Sequence, residues 1–184
     1  TGCWVLKPYT YILGAGDTMN VGFIGAGKAG FTLGKFLAQG GIPVTGYYSR
    51  HGESAKEAAL FTGTKQYNSI DGLVHDSEAI FLTVPDAEIP LLFEKVKELE
   101  ITGKSICHCS GVLAVQEAFS GIEKTGAYGY SIHPLFPICN KLNAFRKLPG
   151  AFFAWKAAAR IWTTGCKNSV PSVVRCGCSM LSLR

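Results

Sequence analysis

The sequence predicts an α/β protein with a doubly wound, mainly parallel sheet of about six strands, followed by an irregular C-terminal tail. Two observations support this fold class. Short apolar segments alternate with helical segments from about residue 19 to residue 138, and such alternation implies parallel strands with helices on both faces. The 184-residue chain is 47% hydrophobic and 17% charged, which is typical of a globular protein with a sizeable core.

The first half of the domain is predicted from apolar segments and glycine positions. Residues 20–24 are nearly continuously apolar, as in a strand buried on both faces. A helix is expected at 28–39, where Gly40 and Gly41 end it because glycine accepts the left-handed conformation. Further elements are expected as a strand at 43–49, an alanine-rich helix at 54–61 and a short strand at about 65–67.

The second half continues the alternation of helices and strands. Ser69 is expected to cap a brief helix that ends near residue 74. The apolar residues of 79–84 predict a buried strand, and those between 89 and 99 have helical spacing. The remaining elements are predicted as a strand at 104–108, a helix at 112–119 and a sixth strand at 128–132 that ends at His133 and Pro134.

A glycine motif directly follows the first strand and opens the first helix. Its residues are Gly25, Ala26, Gly27, Lys28, Ala29 and Gly30. The first glycine permits a tight turn, the second lets the backbone approach a pyrophosphate, and the third allows close packing of helix on strand. The helix N-terminus offers free N–H groups to the phosphates. We therefore predict a Rossmann-type dinucleotide site, the alternative being a glycine turn without a ligand.

The residues after the second strand select the cofactor. Proteins that bind NAD usually place Asp or Glu there to bind the ribose 2′-hydroxyl, whereas this chain has Ser49 and Arg50. Arg50 can bind a 2′-phosphate through forked, charge-assisted hydrogen bonds, and Ser49 can donate another. NADP is therefore the predicted cofactor and NAD the less favoured one. The alternative is that Arg50 is a solvated loop charge.

The other candidate residues follow strands four, five and six, at the sheet edge where open α/β sheets bind ligands. The predicted cofactor contacts there are Thr83, Val84, Pro85, Ser110 and Gly111. Ser110 and His133 are the candidates for catalysis. Each has a structural alternative: Asp86 and Ser110 could cap helices, and His133 could be a turn residue before Pro134.

Charge and composition argue against two kinds of partner. Residues 151–184 carry the whole net charge of +5, whereas residues 19–150 hold twelve basic and twelve acidic residues. A neutral folded domain argues against nucleic-acid binding. No apolar run approaches the roughly 18 residues that span a bilayer, and residues 1–18 do not resemble a signal peptide. We therefore expect a cytoplasmic protein with a small-molecule substrate.

The seven cysteines predict neither disulfides nor a metal site. Their number is odd and no export signal accompanies them, which argues against a disulfide framework. Cys107 and Cys109 are expected on one face of a strand and His108 on the other. No Cys-x₂-Cys pair occurs, in 176–178 or elsewhere, so zinc is not expected. We predict reduced, buried thiols.

Five segments of the chain together resemble a known family. They are 21–30 (VGFIGAGKAG), 48–50 (YSR), 82–86 (LTVPD), 108–111 (HCSG) and 133–135 (HPL). They resemble a bacterial family with a Rossmann-like domain followed by a helical domain of unknown function, similar to pyrroline-5-carboxylate reductase and to deazaflavin-dependent NADP reductases. The resemblance, which covers about 19–153, implies hydride transfer at a nicotinamide. It also implies that the loops after strands four and five flank the nicotinamide and that His133 faces the substrate cleft.

The two ends of the chain do not fit this resemblance. We expect a non-native leader at 1–18, a dinucleotide-binding domain at 19–150 and an irregular basic tail at 151–184. In a shifted reading frame, codons 154–157 can spell Leu-Glu-Gly, which is close to what the resemblance expects. We therefore expect a truncated or frameshifted remnant of the helical domain. That domain would supply much of the substrate pocket and a homodimer interface, so this chain is expected to turn over substrate poorly.

Two functions remain open from the sequence. The first is the NADP(H)-binding domain of an oxidoreductase that acts on a small imine or carbonyl-type substrate. The second is a non-catalytic module that binds or senses a dinucleotide. A methyltransferase, which also uses a Rossmann sheet, is disfavoured because such enzymes bind ribose hydroxyls and this chain has Arg50 where an acid is needed.

Overall fold

One sheet of eight strands organises the part of the chain that the structure, a computed structural model, describes: residues 19–157 and 179–182. Its strands are β1 (Val21–Ile24), β2 (Val44–Tyr48), β3 (Lys65–Gln66), β4 (Ala79–Leu82), β5 (Ser105–His108), β6 (Tyr128–Pro134), β7 (Phe152–Ala157) and β8 (Ser179–Ser182). The α-helices are α1 (Lys28–Gln39), α2 (Gly52–Thr62), α3 (Ile70–Asp76), α4 (Ile89–Val96) and α5 (Val115–Ala118). The expected leader and most of the expected tail lie outside the described residues.

The strand order in the sheet is β3-β2-β1-β4-β5-β6-β7-β8. The first six of these strands pair in parallel, and this order is that of a dinucleotide-binding Rossmann sheet. The chain leaves β1 toward β2 on one side and later returns to β4 on the other. The carboxyl end of β1 therefore lies at the point where the order reverses, and a crevice opens there.

Apolar side chains cover both faces of the sheet, so the fold is doubly wound as predicted. On one face, the ring of Phe23 stacks between the rings of Tyr47 and Phe81, with centroids 5.3 Å away on each side. That face packs against α1 and α2. On the other face, Phe93 of α4 contacts Phe119 at a centroid distance of 5.0 Å. Both cores hold the strand ends of the crevice rigidly in place.

Several sequence predictions are confirmed in detail. Helix α1 has the predicted bounds, and Gly41 beyond it has the left-handed φ of 80°. The Ser69 hydroxyl caps α3, since it accepts a hydrogen bond from the N–H of Gly72 at 3.2 Å. The predicted helix at 112–119 is wrong in its first turn, because α5 begins only at Val115. The N–H groups of Val112 and Leu113, which precede α5, donate instead to the hydroxyl of Ser110.

The boundary expected at residue 150 does not match the end of the sheet. Strand β7 begins at Phe152 and pairs antiparallel with β6, with Ile132 opposite Trp155. Strand β8 pairs antiparallel with β7 in turn. The sheet therefore continues past residue 150 into the first residues of the expected tail. An open edge of β6 offers unpaired backbone groups, and a segment without its own periodicity can pair with that edge.

Candidate functional site

The loop after β1 makes the tight turn that the first glycine was predicted to allow. Gly25 has a φ of 107°, a conformation that side chains with a Cβ rarely adopt. A Cβ on Gly25 would also lie 2.5 Å from the carbonyl oxygen of Thr83. The N–H of Gly25 donates to the carbonyl of Tyr48 at 2.8 Å. The loop is thus fastened to β2 on one side and lies against the end of β4 on the other.

The third glycine packs the first helix onto this loop. A Cβ on Gly30 would lie 2.3 Å from the carbonyl oxygen of Gly25 and 2.4 Å from the hydroxyl of Thr83. The Thr83 hydroxyl donates to the Gly25 carbonyl at 2.7 Å, and the side chain is buried. Thr83, predicted as a cofactor contact, therefore lies beneath the glycine loop and holds its backbone. Its contact with a cofactor remains a prediction.

The second glycine faces open space. The nearest atom to a Cβ on Gly27 would be the Thr83 carbonyl oxygen at 4.0 Å, and both Gly27 and Lys28 are exposed. Gly27 occupies the N-cap of α1, and no side chain caps that helix. Its first N–H groups lack intrahelical acceptors and carry the positive end of the helix dipole. A phosphate can therefore reach the backbone here.

The charged residue after β2 is close to a carboxylate from the other side of the loop. Arg50 is exposed, and its Nη2 lies 3.4 Å from Oε1 of Glu88. Ser49 beside it is half-buried. Glu88 belongs to a 3₁₀ turn, Asp86–Glu88, that joins β4 to α4. Glu88 is not predicted as a site residue, because nothing in the sequence shows that it meets Arg50. In the same turn, Asp86 does not cap an α-helix at Ala87 as the alternative supposed.

Ser110 ties down the segment after β5. Its hydroxyl accepts hydrogen bonds from the N–H of Val112 at 3.2 Å and of Leu113 at 3.1 Å. The carboxylate of Glu117 then accepts from the N–H of Ala114 at 2.9 Å. The Ser110 hydroxyl therefore fixes a turn before α5, not the first turn of a helix at Val112. Ser110 is buried, which ranks it below His133 as a candidate for proton transfer.

His108 is a buried neutral side chain next to this turn. It is 0% exposed, and its Nδ1 accepts a hydrogen bond from the N–H of Ser110 at 3.3 Å. Burial lowers the pKa of His108 to about 4, and the nearby His133 adds to this effect while Asp86 opposes it. Because Nδ1 is an acceptor, the proton lies on Nε2, a buried atom without a hydrogen-bond partner among the described residues.

In His133 the proton lies on the other ring nitrogen, Nδ1. Its Nδ1 lies 2.9 Å from the carbonyl oxygen of Cys109, and because a carbonyl only accepts, Nδ1 carries the proton. Its Nε2 atom lies next to Gly111: a Cβ on Gly111 would be 2.8 Å from this nitrogen. His133 is half-buried and Gly111 exposed. The absence of a side chain at 111 therefore makes room for the imidazole, and Nε2 is left as a proton acceptor.

The state of His108 can be tested by its titration. The folded-state pKa of about 4 lies below the ordinary value of 6.5, so the unfolded chain binds the proton first as the pH falls. The stability of the fold should therefore decrease between about pH 6.5 and pH 4. Ring ¹⁵N NMR should show His108 neutral down to pH 5, in the tautomer protonated at Nε2. A titration midpoint near 6.5 would contradict its burial.

The thiols near the site are not activated. Cys107 and Cys109 are free, the first buried and the second half-buried. Burial raises the pKa of Cys107, and it raises the pKa of Cys109 to about 12. Within residues 19–157 and 179–182, no group of three His, Cys, Asp or Glu side chains is placed to hold a metal ion. Over the same residues, no helix is both long and apolar enough to cross a membrane.

The fold and the site together define a doubly wound α/β domain of the Rossmann class. Its glycine loop lies at the reversal of strand order, other candidate residues follow β2, β4 and β5, and His133 lies at the carboxyl end of β6. The chain belongs to the Rossmann-like domain family, whose sequence profile matches residues 15–134. This match confirms the resemblance on which the sequence analysis relied. No curated protein sequence matches the chain.

Solved structures share the fold at low sequence identity. An imine reductase from Bacillus cereus has a TM-score of 0.56 and 20% identity, and the match covers 65% of this chain and 42% of that one. A reductive aminase from Aspergillus terreus in complex with NADPH has a TM-score of 0.53 and 12% identity, covering 66% and 43%. An imine reductase variant from Myxococcus stipitatus in complex with NAD⁺ has a TM-score of 0.52 and 19% identity, covering 65% and 41%. The matched part spans less than half of each of these proteins.

Proposed function

We propose that this chain is the NADP(H)-binding domain of an oxidoreductase that transfers hydride between nicotinamide and a small imine or carbonyl-type substrate. The observation that carries the proposal is the open backbone at Gly27, at the uncapped N-terminus of α1. Free N–H groups at a helix N-terminus beside a glycine turn suit a pyrophosphate. The likeness to structures that hold NADPH and NAD⁺ supports a nicotinamide dinucleotide.

The two halves of the cofactor would lie on either side of this loop. Arg50, after β2, is the proposed partner of a 2′-phosphate, with Ser49 beside it. The nicotinamide half would lie toward the ends of β4 and β5. The proposed contacts there are Thr83, Val84, Pro85, Ser110 and Gly111. When bound, NADPH would supply the hydride.

His133 is the proposed proton donor for this reaction. Its Nδ1–H is held by the Cys109 carbonyl, so a second proton can bind only at Nε2. A protonated His133 would give that proton to the substrate nitrogen or oxygen as hydride reaches the adjacent carbon. His108 is a poor alternative, because burial keeps it neutral over the physiological range. The further helical domain that the sequence resemblance implies would cover the substrate and support a homodimer.

The proposal is tested by binding and by turnover. Calorimetric titration of the chain with NADPH should show saturable binding at one site. NADPH oxidation is then measured with a panel of small imines and carbonyl compounds. Binding with turnover of any member supports the enzyme. Binding without turnover supports the cofactor site alone, because a helical domain would supply much of the substrate pocket. Absence of binding to either NADPH or NADH would contradict the proposal.

Arg50→Ala is expected to weaken NADPH binding at least tenfold and to leave NADH binding within twofold. A hydrogen bond to a charged group contributes about 1.5–3 kcal/mol, and 1.4 kcal/mol corresponds to tenfold in affinity. Titration of both cofactors measures the difference. Lys124→Ala is the matched control, because Lys124 lies in a turn before the start of β6, whereas the site lies at the carboxyl ends of the parallel strands. Equal affinities of the unmodified chain for the two cofactors would contradict the assignment of NADP.

A further inference from the structure

An ion pair joins the two loops that flank the glycine loop. Arg50 follows β2 and Glu88 follows β4, and these two strands lie on opposite sides of β1 in the sheet. The 3.4 Å contact between Nη2 of Arg50 and Oε1 of Glu88 therefore spans the carboxyl end of β1. The residue proposed to bind a 2′-phosphate is thus already paired with a carboxylate of the same chain.

The pair is weak enough to exchange partners. The side chains are 74% and 41% exposed, and water screens a solvent-exposed ion pair so that it contributes little to stability. A phosphate with two negative charges and three acceptor oxygens is a stronger partner for a guanidinium than one carboxylate oxygen at this distance. The carboxylate of Glu88 would also repel a phosphate brought to Arg50. Both effects act against binding of a 2′-phosphorylated nucleotide.

We propose that Glu88 is a specificity-determining residue, which competes with the cofactor 2′-phosphate for Arg50. This inference rests on the proposed NADP(H) function. The segment after β2 lacks the acid that favours NAD, and Glu88 brings a carboxylate to the same place from the β4 side. The preference for NADPH over NADH is therefore smaller than Arg50 alone would produce, and it is set by the balance between two oppositely charged residues.

The test measures NADPH and NADH affinity of the full chain by calorimetry at constant ionic strength. Glu88→Gln removes the charge and keeps the shape of the side chain. It should tighten NADPH binding by about threefold to fivefold and leave NADH binding within twofold. Glu123→Gln removes one exposed acidic charge in the turn before the start of β6, away from the carboxyl ends of the strands, and should change neither affinity. Thermal melting confirms that each variant folds.

A double-variant cycle distinguishes competition from simple repulsion. In an Arg50→Ala background, Glu88→Gln should tighten NADPH binding by less than twofold, because the residue for which Glu88 competes is gone. An unchanged NADPH affinity in Glu88→Gln, or an equal gain with and without Arg50, would overturn the inference while leaving the proposed function intact. If the unmodified chain binds neither cofactor, the proposed function fails and this inference fails with it.

Discussion

Gly27→Val is expected to reduce NADPH affinity by at least about a hundredfold while the domain remains folded. The backbone of Gly27 has φ −73° and ψ −171°, a conformation that valine adopts without strain. Beyond its chain neighbours, the nearest atom to a Cβ there would be the Thr83 carbonyl oxygen at 4.0 Å, so the position is open to a side chain. The valine side chain would, however, exclude the proposed pyrophosphate, because it would occupy the space in which the phosphate approaches the helix N-terminus.

The measurement pairs a calorimetric titration of NADPH with a thermal melt of the same sample. The melting temperature should stay within a few degrees of that of the unmodified chain. Gly27→Ala provides a graded control, with an intermediate loss of affinity because one methyl group occupies less of the site. Normal NADPH binding by a folded Gly27→Val protein would show that the glycine loop is only structural.

Gly30→Val is expected to have the opposite outcome, with a loss of stability of about 3 kcal/mol, at the upper end of the range for overpacking. Its Cβ would come within 2.3 Å of the Gly25 carbonyl oxygen and 2.4 Å of the Thr83 hydroxyl. One of these atoms belongs to backbone that is itself held by Tyr48 and Thr83. The helix would have to move away from the sheet to admit the side chain.

Urea unfolding of Gly30→Val and Gly27→Val, followed by circular dichroism, measures this difference in stability. Thr83→Val supplies a related control, because it keeps the volume of the side chain and removes the hydrogen bond to Gly25. It should destabilise the fold by about 1 kcal/mol. If Gly30→Val were as stable as Gly27→Val, α1 would not pack on the glycine loop as closely as the structure indicates.

The contrast between these glycines also bears on how the site works. Gly25 and Gly30, with Thr83, pack the loop closely against β4 and α1, so that the N–H groups near Gly27 point at the place proposed for the pyrophosphate. A preformed backbone site does not have to be ordered when the phosphate binds, and this lowers the entropic cost of binding. The adjustable part of the site is the exposed pair of Arg50 and Glu88, which we propose tunes the cofactor preference.

The sequence by itself determined the order and type of the elements that build the crevice. The apolar segment before Gly25 and the glycine spacing predict β1, the turn and α1, because buried strands, positive φ and helix ends each require particular residues nearby in the chain. Local chemistry also predicts the Ser69 cap. For the same reason, the sequence predicts that Gly27 lies at the helix N-terminus.

The tertiary structure alone decided which of these residues meet. Nothing local brings Glu88 to Arg50, since these residues lie in loops after different strands. Nor does anything local bring His133 of β6 to Gly111 and the Cys109 carbonyl, which follow β5. The pKa of His108, a residue of β5, likewise depends on its burial, in which the ring of Phe119 packs against the imidazole. Strand β7 forms where the sequence shows no period, because its backbone pairs with the edge of β6. Contacts between distant segments depend on strand order and register, which a single sequence does not show.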